Sequence, residues 1–346
     1  MSLQTTLLKR GTLMSVTIKD IARMAGVSYS TVSKALKNSP LVNEQTKRKI
    51  KHLADEYGYQ PNLIAQSLVS KKSGIIGIVW PTVEIIAIST LMTHITAEME
   101  RRSYSALLSV SSLESGVRLF NRLRVDGILV FELNRMFNPS ESVRSAIPVL
   151  SFGLSNVASP YASIDVNRKG AIETAVRYLH GLGHRRIGFV GNLEDHFSKQ
   201  HDKFLGYMDA MDRLGLPADP HLRVHTRKLV WQEGYRAAKF LLQCRDRPTA
   251  IVSASYELTV GIILAMKEAQ IHIPSDMSIV SYDNVPQLAH LEIPVTAVGV
   301  PVEKMAACMA EAALRMVERP GDDSPPPMAE VELAERLSCA PPKPER

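Results

Sequence analysis

The side chains with the clearest chemical use lie near the N-terminus, and they suit hydrogen bonding to DNA better than catalysis. Tyr29 and Ser30 stand at the start of the second predicted helix, and Lys34, Lys37 and Lys47 follow them. A helix fits the major groove with its N-terminal residues facing base edges, and lysines neutralise phosphates. These residue types at this spacing predict a nucleic-acid interface. The alternative is a three-helix bundle with a solvated basic face.

The distribution of charge supports this prediction. The chain has 346 residues and a formal net charge of +6. Residues 1–72 contain twelve Lys or Arg and four Asp or Glu, so this segment carries +8 and the remainder carries −2. Basicity confined to one segment is typical of a nucleic-acid-binding head on a near-neutral body.

Cap residues and turn chemistry predict three helices in this basic segment. Thr17, with Asp20 three residues later, forms a start that resembles a capping box. Gly26 can supply the positive φ of a tight turn, and Ser28 can cap the second helix. A third helix is predicted to begin near Asn43. Two short helices about a glycine turn, with a supporting third, are typical of a helix-turn-helix unit.

The segment VTIKDIARMAGVSYSTVSKAL at residues 16–36 resembles the head of the lactose-repressor/purine-repressor family of bacterial transcription regulators. The segment YGYQPNLIAQSL at residues 57–68 resembles the hinge of that family. Looser matches, among them RVDGILV, LGHRRIGFVG and IPSDMSIVSYDN, extend the resemblance over about residues 16–339. The resemblance implies a cytoplasmic transcription regulator, most simply a repressor, that binds a near-palindromic double-stranded DNA operator as a homodimer.

The resemblance also implies individual DNA contacts. Tyr29 and Ser30 would contact bases in the major groove. Lys34 stands where the family usually has Arg, and Lys37 where it usually has Asn; lysine is a point charge, so a bidentate contact to guanine is not expected there. The residues that the resemblance implies for holding the DNA backbone are Thr17, Ser28, Thr31, Ser33, Lys34, Asn43 and Thr46. Independently of the resemblance, Lys37 and Lys47 are expected to lie where phosphates would pass.

The hinge carries a separate prediction. Residues 62–69 are too few to form a stable helix alone. In the family this segment orders on specific DNA and enters the minor groove, which implies DNA contacts for Asn62, Ala65 and Leu68. Leu68 aligns with the leucine that wedges between the central base pairs. The alternative is that Leu68 is a linker residue that packs on the body.

The remainder of the chain predicts an α/β body. Short β-branched runs alternate with amphipathic helical stretches, which predicts parallel sheets covered on both faces. The expected fold is a three-helix helix-turn-helix head and a hinge helix, followed by two doubly wound parallel-sheet lobes resembling a periplasmic binding protein. The expected domains are the DNA-binding head 16–60, the hinge helix and linker 61–73, the effector-binding and dimerisation domain 74–339, and a disordered tail 340–346.

Seven strands and seven helices are predicted in the body. Helices near 87–102 and 112–122 form the expected dimer surface. The other helices are predicted near 168–182, 202–214, 233–243, 257–269 and 302–318. The strands are Ile75–Val79, Ser105–Ser109, Gly127–Phe131, Val149–Phe152, Arg186–Val190, Ala250–Ser253 and Ser278–Tyr282, with Val331–Ser338 as a candidate last strand.

The resemblance implies a small-molecule site between the lobes, for a sugar or another polar metabolite. Asp283 matches the family's acceptor of sugar hydroxyls. Lys203 replaces the usual ligand-clamping Arg, and Ser255 and Tyr256 replace the usual Asn-Asp pair. Because sugar recognition needs several fixed donors and acceptors, these departures predict a changed, weakened or absent effector. The alternative for Asp283 is a strand-end cap with no ligand.

Other functional classes find little support. No run of about 18 apolar residues predicts a membrane span, and no secretion signal opens the sequence. Cys244, Cys308 and Cys339 are too scattered for a disulfide framework or a zinc site. His180 and His184 lack the adjoining Glu of a zinc protease. We therefore expect no enzyme, metal or cofactor. The alternative function, a solute receptor without DNA binding, would need a signal sequence and no basic head.

Overall fold

The structure is a computed structural model that describes residues 16–60, 72–80, 85–131, 144–153, 161–194, 199–217, 219–319, 321 and 329–344. Contacts divide the chain into two compact units, Met1–Ser73 and Gly74–Arg346.

The first unit contains three helices: α1 (Ile18–Ala25), α2 (Tyr29–Leu36) and α3 (Glu44–Glu56). A capping box of Thr17 and Asp20 opens α1. Gly26 ends it with a φ of +73°, a conformation that glycine adopts without strain. The turn thus brings the apolar sides of α1 and α2 together over α3. The buried core consists of Ile21, Ala22, Ala25, Val32, Ala35, Val42 and Ile50.

The second unit begins with a lobe built on a parallel sheet, here called the first lobe. Its strands are β1 (Ile75–Trp80), β2 (Ser105–Val110), β3 (Gly127–Phe131), β4 (Val149–Phe152) and β5 (Ala162–Ile164); its helices are α4 (Ile86–Arg101), α5 (Leu113–Leu123) and α10 (Val302–Glu318). In the described residues the strand order is β2-β1-β3-β4-β5. Helix α5 packs on β1 and β3, and α10 packs on β3, β4 and α4.

The second lobe contains the strands β6 (Ile187–Gly191), β7 (Arg223–His225), β8 (Ala250–Ser253), β9 (Ser278–Tyr282), β10 (Thr296–Gly299) and β11 (Glu332–Ala334). In the described residues they form a sheet of order β11-β10-β9-β8-β6-β7, parallel except for the antiparallel β11. Its helices are α6 (Arg168–Gly181), α7 (His201–Arg213), α8 (Trp231–Gln243) and α9 (Tyr256–Glu268), with short 3-10 turns at Pro220–Leu222 and Pro286–Ala289.

The chain passes between the lobes more than once. It leaves the first lobe after Ile164, returns between Gly299 and Val302, and joins the second sheet again at Glu332. Connections of this kind make a cleft between two lobes whose relative angle can change. The expectation of two parallel-sheet lobes is confirmed.

All seven predicted body strands and all seven predicted helices are present, and no end differs from its predicted position by more than two residues. The prediction missed β5, β7 and β10. Two of these have three residues each and form sheet edges, so no run of apolar residues distinguishes them. The last strand covers only Glu332–Ala334 of the predicted Val331–Ser338.

The expectation of a disordered tail does not hold for its first residues. The imidazole of His184 is buried between Thr249, Ser278 and the carbonyl oxygen of Ala340, the last at 3.0 Å. The N–H of Ala340 donates to Ser278 Oγ at 3.1 Å, and Lys343 pairs with Asp276 at 2.5 Å. These side chains hold the tail on the second lobe, which a proline-rich composition does not reveal.

Candidate nucleic-acid interface and ligand cleft

Helix α2 presents its predicted DNA-contacting side chains to solvent. Tyr29 is 65% exposed, and Ser30, Lys34 and Lys37 are also exposed. Tyr29 and Ser33 are four residues apart, as are Ser30 and Lys34, so they form two adjacent rows along the helix. An exposed tyrosine ring beside hydroxyls and two lysines can contact base edges and phosphates together.

Hydroxyl and amide side chains fix the first turns of these helices. Ser28 Oγ accepts from the N–H of Thr31 at 3.1 Å and lies 2.8 Å from the hydroxyls of Ser30 and Thr31. Asn43 Oδ1 accepts from the N–H of Thr46 at 2.8 Å and caps α3. Several side chains predicted to hold DNA are therefore helix caps in this structure. Their contacts with DNA stay predictions.

Lys47 departs from the sequence-based expectation of a solvent-facing cation. Its side chain is only 7% exposed, and its Nζ pairs with Glu44 Oε1 at 2.7 Å. The hydrogen bond from Lys47 holds the pKa of the Glu44 carboxyl below its usual value. Lys47 lies three residues after Glu44 on α3, so the two side chains meet on one helix face. Lys47 therefore already has a charged partner within the head.

The three hinge residues predicted to contact DNA, Asn62, Ala65 and Leu68, lie outside the described residues.

A cleft of about 690 Å³ separates the lobes. Its first-lobe wall is largely apolar and includes Ile88, Leu91 and Phe152. Its second-lobe wall carries the ionisable groups Arg168, Lys203, Arg227, Lys228, Glu257 and Asp283. Such a mixture suits a ligand with an apolar portion and a few polar groups better than one covered with hydroxyls.

Lys203, one of the four residues predicted to bind an effector, lines this cleft but is almost fully buried. Its Nζ donates to the carbonyl oxygen of Ala254 at 2.7 Å and lies 3.7 Å from the centre of the Tyr282 ring. Burial lowers the pKa of Lys203 to about 8, although the nearby Asp283 acts in the opposite direction. Because Asp283 offsets only part of the cost of burial, a further negative charge in the cleft would stabilise the Lys203 ammonium.

Asp283, Ser255 and Tyr256 meet at the N-terminus of α9. Asp283 Oδ2 accepts from the backbone N–H of Tyr256 at 3.1 Å, and Ser255 Oγ accepts from that of Leu258 at 3.2 Å. Asp283 lines the cleft, and burial raises the pKa of its carboxyl. Ser255 is fully buried as the N-cap of α9. Both side chains have structural partners, and Ser255 and Tyr256 are not among the cleft-lining residues.

Sequence reasoning missed four charged residues of the cleft: Arg168, Arg227, Lys228 and Glu257. Arg168 is 5% exposed and donates to Asp165 Oδ1 at 2.5 Å. Glu257 stands in the first turn of α9 and accepts from the backbone N–H of Ile86 in the first lobe at 2.8 Å. Arg168 falls within the DVNRKGA match to the family, and Glu257 directly follows the Ser255-Tyr256 pair. These two sequence positions are the signals by which Arg168 and Glu257 could have been identified.

Large apolar side chains are exposed at one edge of the first lobe, and none of them lines the cleft. Leu107, Leu108 and Val110 are 41–56% exposed on the edge strand β2. Leu119 and Leu123 are 40% and 47% exposed on α5, which follows β2 after two residues. We call these five residues the β2–α5 surface. Clusters of exposed large apolar side chains mark interaction sites.

Two family models match the chain. Residues 17–62 match the model described as bacterial regulatory proteins, lacI family, and residues 176–339 match the one described as a periplasmic binding protein-like domain. Catabolite control protein A of Priestia megaterium is 29% identical over 300 residues, which are 83% of this chain and 90% of that protein. HTH-type transcriptional regulator RegA of Clostridium saccharobutylicum is 27% identical over 341 residues, 94% and 99% of the two chains.

A solved structure of similar fold is that of the lac repressor dimer bound to operator and the anti-inducer ONPF. It aligns with a TM-score of 0.79 at 21% identity and covers 94% of this chain and 99% of that chain. Among the described residues, no helix combines the length and apolar character needed to cross a membrane.

Proposed function

The chain belongs to the lacI family of bacterial regulatory proteins, and from this premise we propose that it is a sequence-specific DNA-binding transcription regulator, acting as a repressor. The observation that supports this most strongly is the exposed surface of α2, where Tyr29 and Ser30 lie at the start of the helix and Lys34 and Lys37 follow towards its end. A capped helix with this surface suits the major groove, and phosphate contacts fix its register.

Selection of bound sequences from random double-stranded DNA tests this proposal directly. We expect the full-length protein to enrich one near-palindromic sequence, because a two-fold dimer presents two heads to two half-sites. A protein without Met1–Ser73 is the control and should enrich nothing. Equal enrichment of all sequences by the full chain at moderate salt would contradict the proposal.

We propose that the β2–α5 surface is the dimer interface. The sequence pointed to the helices that the structure places at Ile86–Arg101 and Leu113–Leu123. The large apolar side chains exposed here lie on β2 and on the second of these helices, whereas α4 buries its own, Leu91, Ile95 and Met99. The interface therefore centres on the edge strand and α5.

We propose that the cleft between the lobes takes a small-molecule effector. The effector changes the population of lobe orientations and thereby DNA affinity. The incompletely compensated charge of Lys203 and the apolar first-lobe wall favour an acidic metabolite with an apolar portion over a neutral sugar. Repeating the DNA selection with sugars, nucleosides and organic acids tests this, since an effector changes the enrichment.

A role in transcription places the protein with chromosomal DNA, so we propose a cytoplasmic location. We also propose that the protein has no catalytic activity and binds no cofactor.

A further inference from the structure

One hydrogen bond across the cleft supplies what a helix of the first lobe lacks. Helix α4 begins at Ile86, and its N-cap residue, Ile85, has no side-chain capping bond. The backbone N–H of Ile86 instead donates to Oε1 of Glu257 at 2.8 Å. Glu257 belongs to α9 of the second lobe, 171 residues further along the chain. The second lobe therefore caps a helix of the first.

A second bond reaches the same helix. Gln287 Nε2, in the 3-10 turn that follows β9, donates to Thr90 Oγ1 at 2.9 Å. Ile86 and Thr90 are four residues apart and lie on one side of α4. Both bonds therefore act on the first two turns of α4, so the position of this helix relative to the second lobe depends on two side chains.

The stability of the fold does not require a carboxylate at position 257. Burial, and to a smaller extent the neighbouring Asp283, raise the pKa of Glu257. Its second oxygen, Oε2, is buried as well. An apolar side chain of similar length would avoid this desolvation cost. The N-terminus of a helix, in contrast, favours a negative charge.

We propose that Glu257 is a positioning residue that caps α4 across the cleft and so holds the lobe angle. The effect of lobe angle on DNA affinity rests on the proposed function; the cap itself does not.

A double-mutant cycle on the full-length protein tests the cap. Ile86→Pro removes the donor, since proline has no N–H, and proline is favoured at the first position of a helix. Ile85 has φ −91° and ψ 118°, which suits the residue before a proline. Glu257→Leu removes the acceptor. The measurement is hydrogen–deuterium exchange of the peptide covering residues 86–95.

We expect Glu257→Leu to increase exchange in this peptide several-fold in the natural background and to change it no further in the Ile86→Pro background. Glu257→Gln retains an acceptor oxygen and should restore part of the protection. Ile86→Ala separates loss of the side chain from loss of the N–H. Glu268→Gln, on the exposed end of the same helix, should leave exchange unchanged. Equal effects of Glu257→Leu in both backgrounds would overturn the cap.

Operator affinity is then measured for the natural protein and Glu257→Leu. A change of several-fold together with coupling in the cycle supports the whole proposal. Coupling with unchanged operator affinity would overturn the link between the cap and DNA binding. Because the exchange measurement contains no DNA, failure to select any operator would count against the proposed function and not against the cap.

Discussion

Lys203 Nζ lies 3.7 Å from the centre of the Tyr282 ring and makes no ion pair within 4.0 Å of the described carboxylates, although Asp283 directly follows Tyr282. The ammonium is instead held by the ring and by one carbonyl oxygen. A cation over an aromatic face is stabilised when it is desolvated, but less than it loses by leaving water. This balance predicts a measurable dependence of stability on pH.

The free energy of unfolding should rise with pH relative to that of Lys203→Met. Burial depresses the pKa of Lys203 from 10.5 to about 8. Between these two values the unfolded chain binds the proton more tightly than the folded one, so increasing pH favours folding. We expect the free energy of unfolding of the natural protein, minus that of the variant, to increase by up to about 3 kcal/mol from pH 7 to pH 10.5. Chemical denaturation measures it.

Lys267→Met is the matched control for this measurement. Lys267 lies on α9 with its side chain 66% exposed. Its variant should show no comparable change over the same pH range. A flat difference for Lys203→Met as well would show that its ammonium is not desolvated.

Tyr29→Ala should relax base preference. The ring is 65% exposed at the start of α2 and is expected to contact base edges. We expect a loss of about 1–3 kcal/mol on the selected operator with little change on random DNA. Titrations of both DNAs at one salt concentration measure this. An equal loss on the two would contradict the assignment of Tyr29 to base contact.

Lys34→Gln and Lys47→Gln should behave differently. Lys34 is exposed, so its loss should weaken binding to all sequences and reduce the slope of log K against log salt by about 1. Lys47 is buried and paired with Glu44, so its loss should lower thermal stability and leave the slope nearly unchanged. If the two slopes fall equally, Lys47 leaves Glu44 for a phosphate in the complex.

Leu68→Ala should reduce operator affinity at least about tenfold, or ~1.4 kcal/mol, and retain binding to random DNA. The reason is the wedge that the hinge of the family inserts between base pairs, a role that the resemblance implies for Leu68. Competition titrations with the operator and a scrambled sequence measure it. Equal loss on both sequences would contradict the wedge.

Leu119→Asp should shift the protein from dimer to monomer. The change places a charge in the β2–α5 surface, and a charge buried in an interface without a partner is costly. Analytical ultracentrifugation measures the shift. Leu264→Asp, at a residue 46% exposed on α9, is the matched control and should remain dimeric. A dimer that persists in Leu119→Asp would place the interface elsewhere.

The sequence by itself determined the helix-turn-helix head and nearly all the elements of the body. Capping residues such as Ser28, a glycine turn at Gly26 and hydrophobic periodicity act over a few residues, so they can be identified without the fold. Only the tertiary structure decided which groups meet. Lys47 pairs within its own helix, and Glu257 reaches Ile86 across 171 residues. Folding brings distant segments together and removes water from between them, and a charge acquires its partner and its pKa only then.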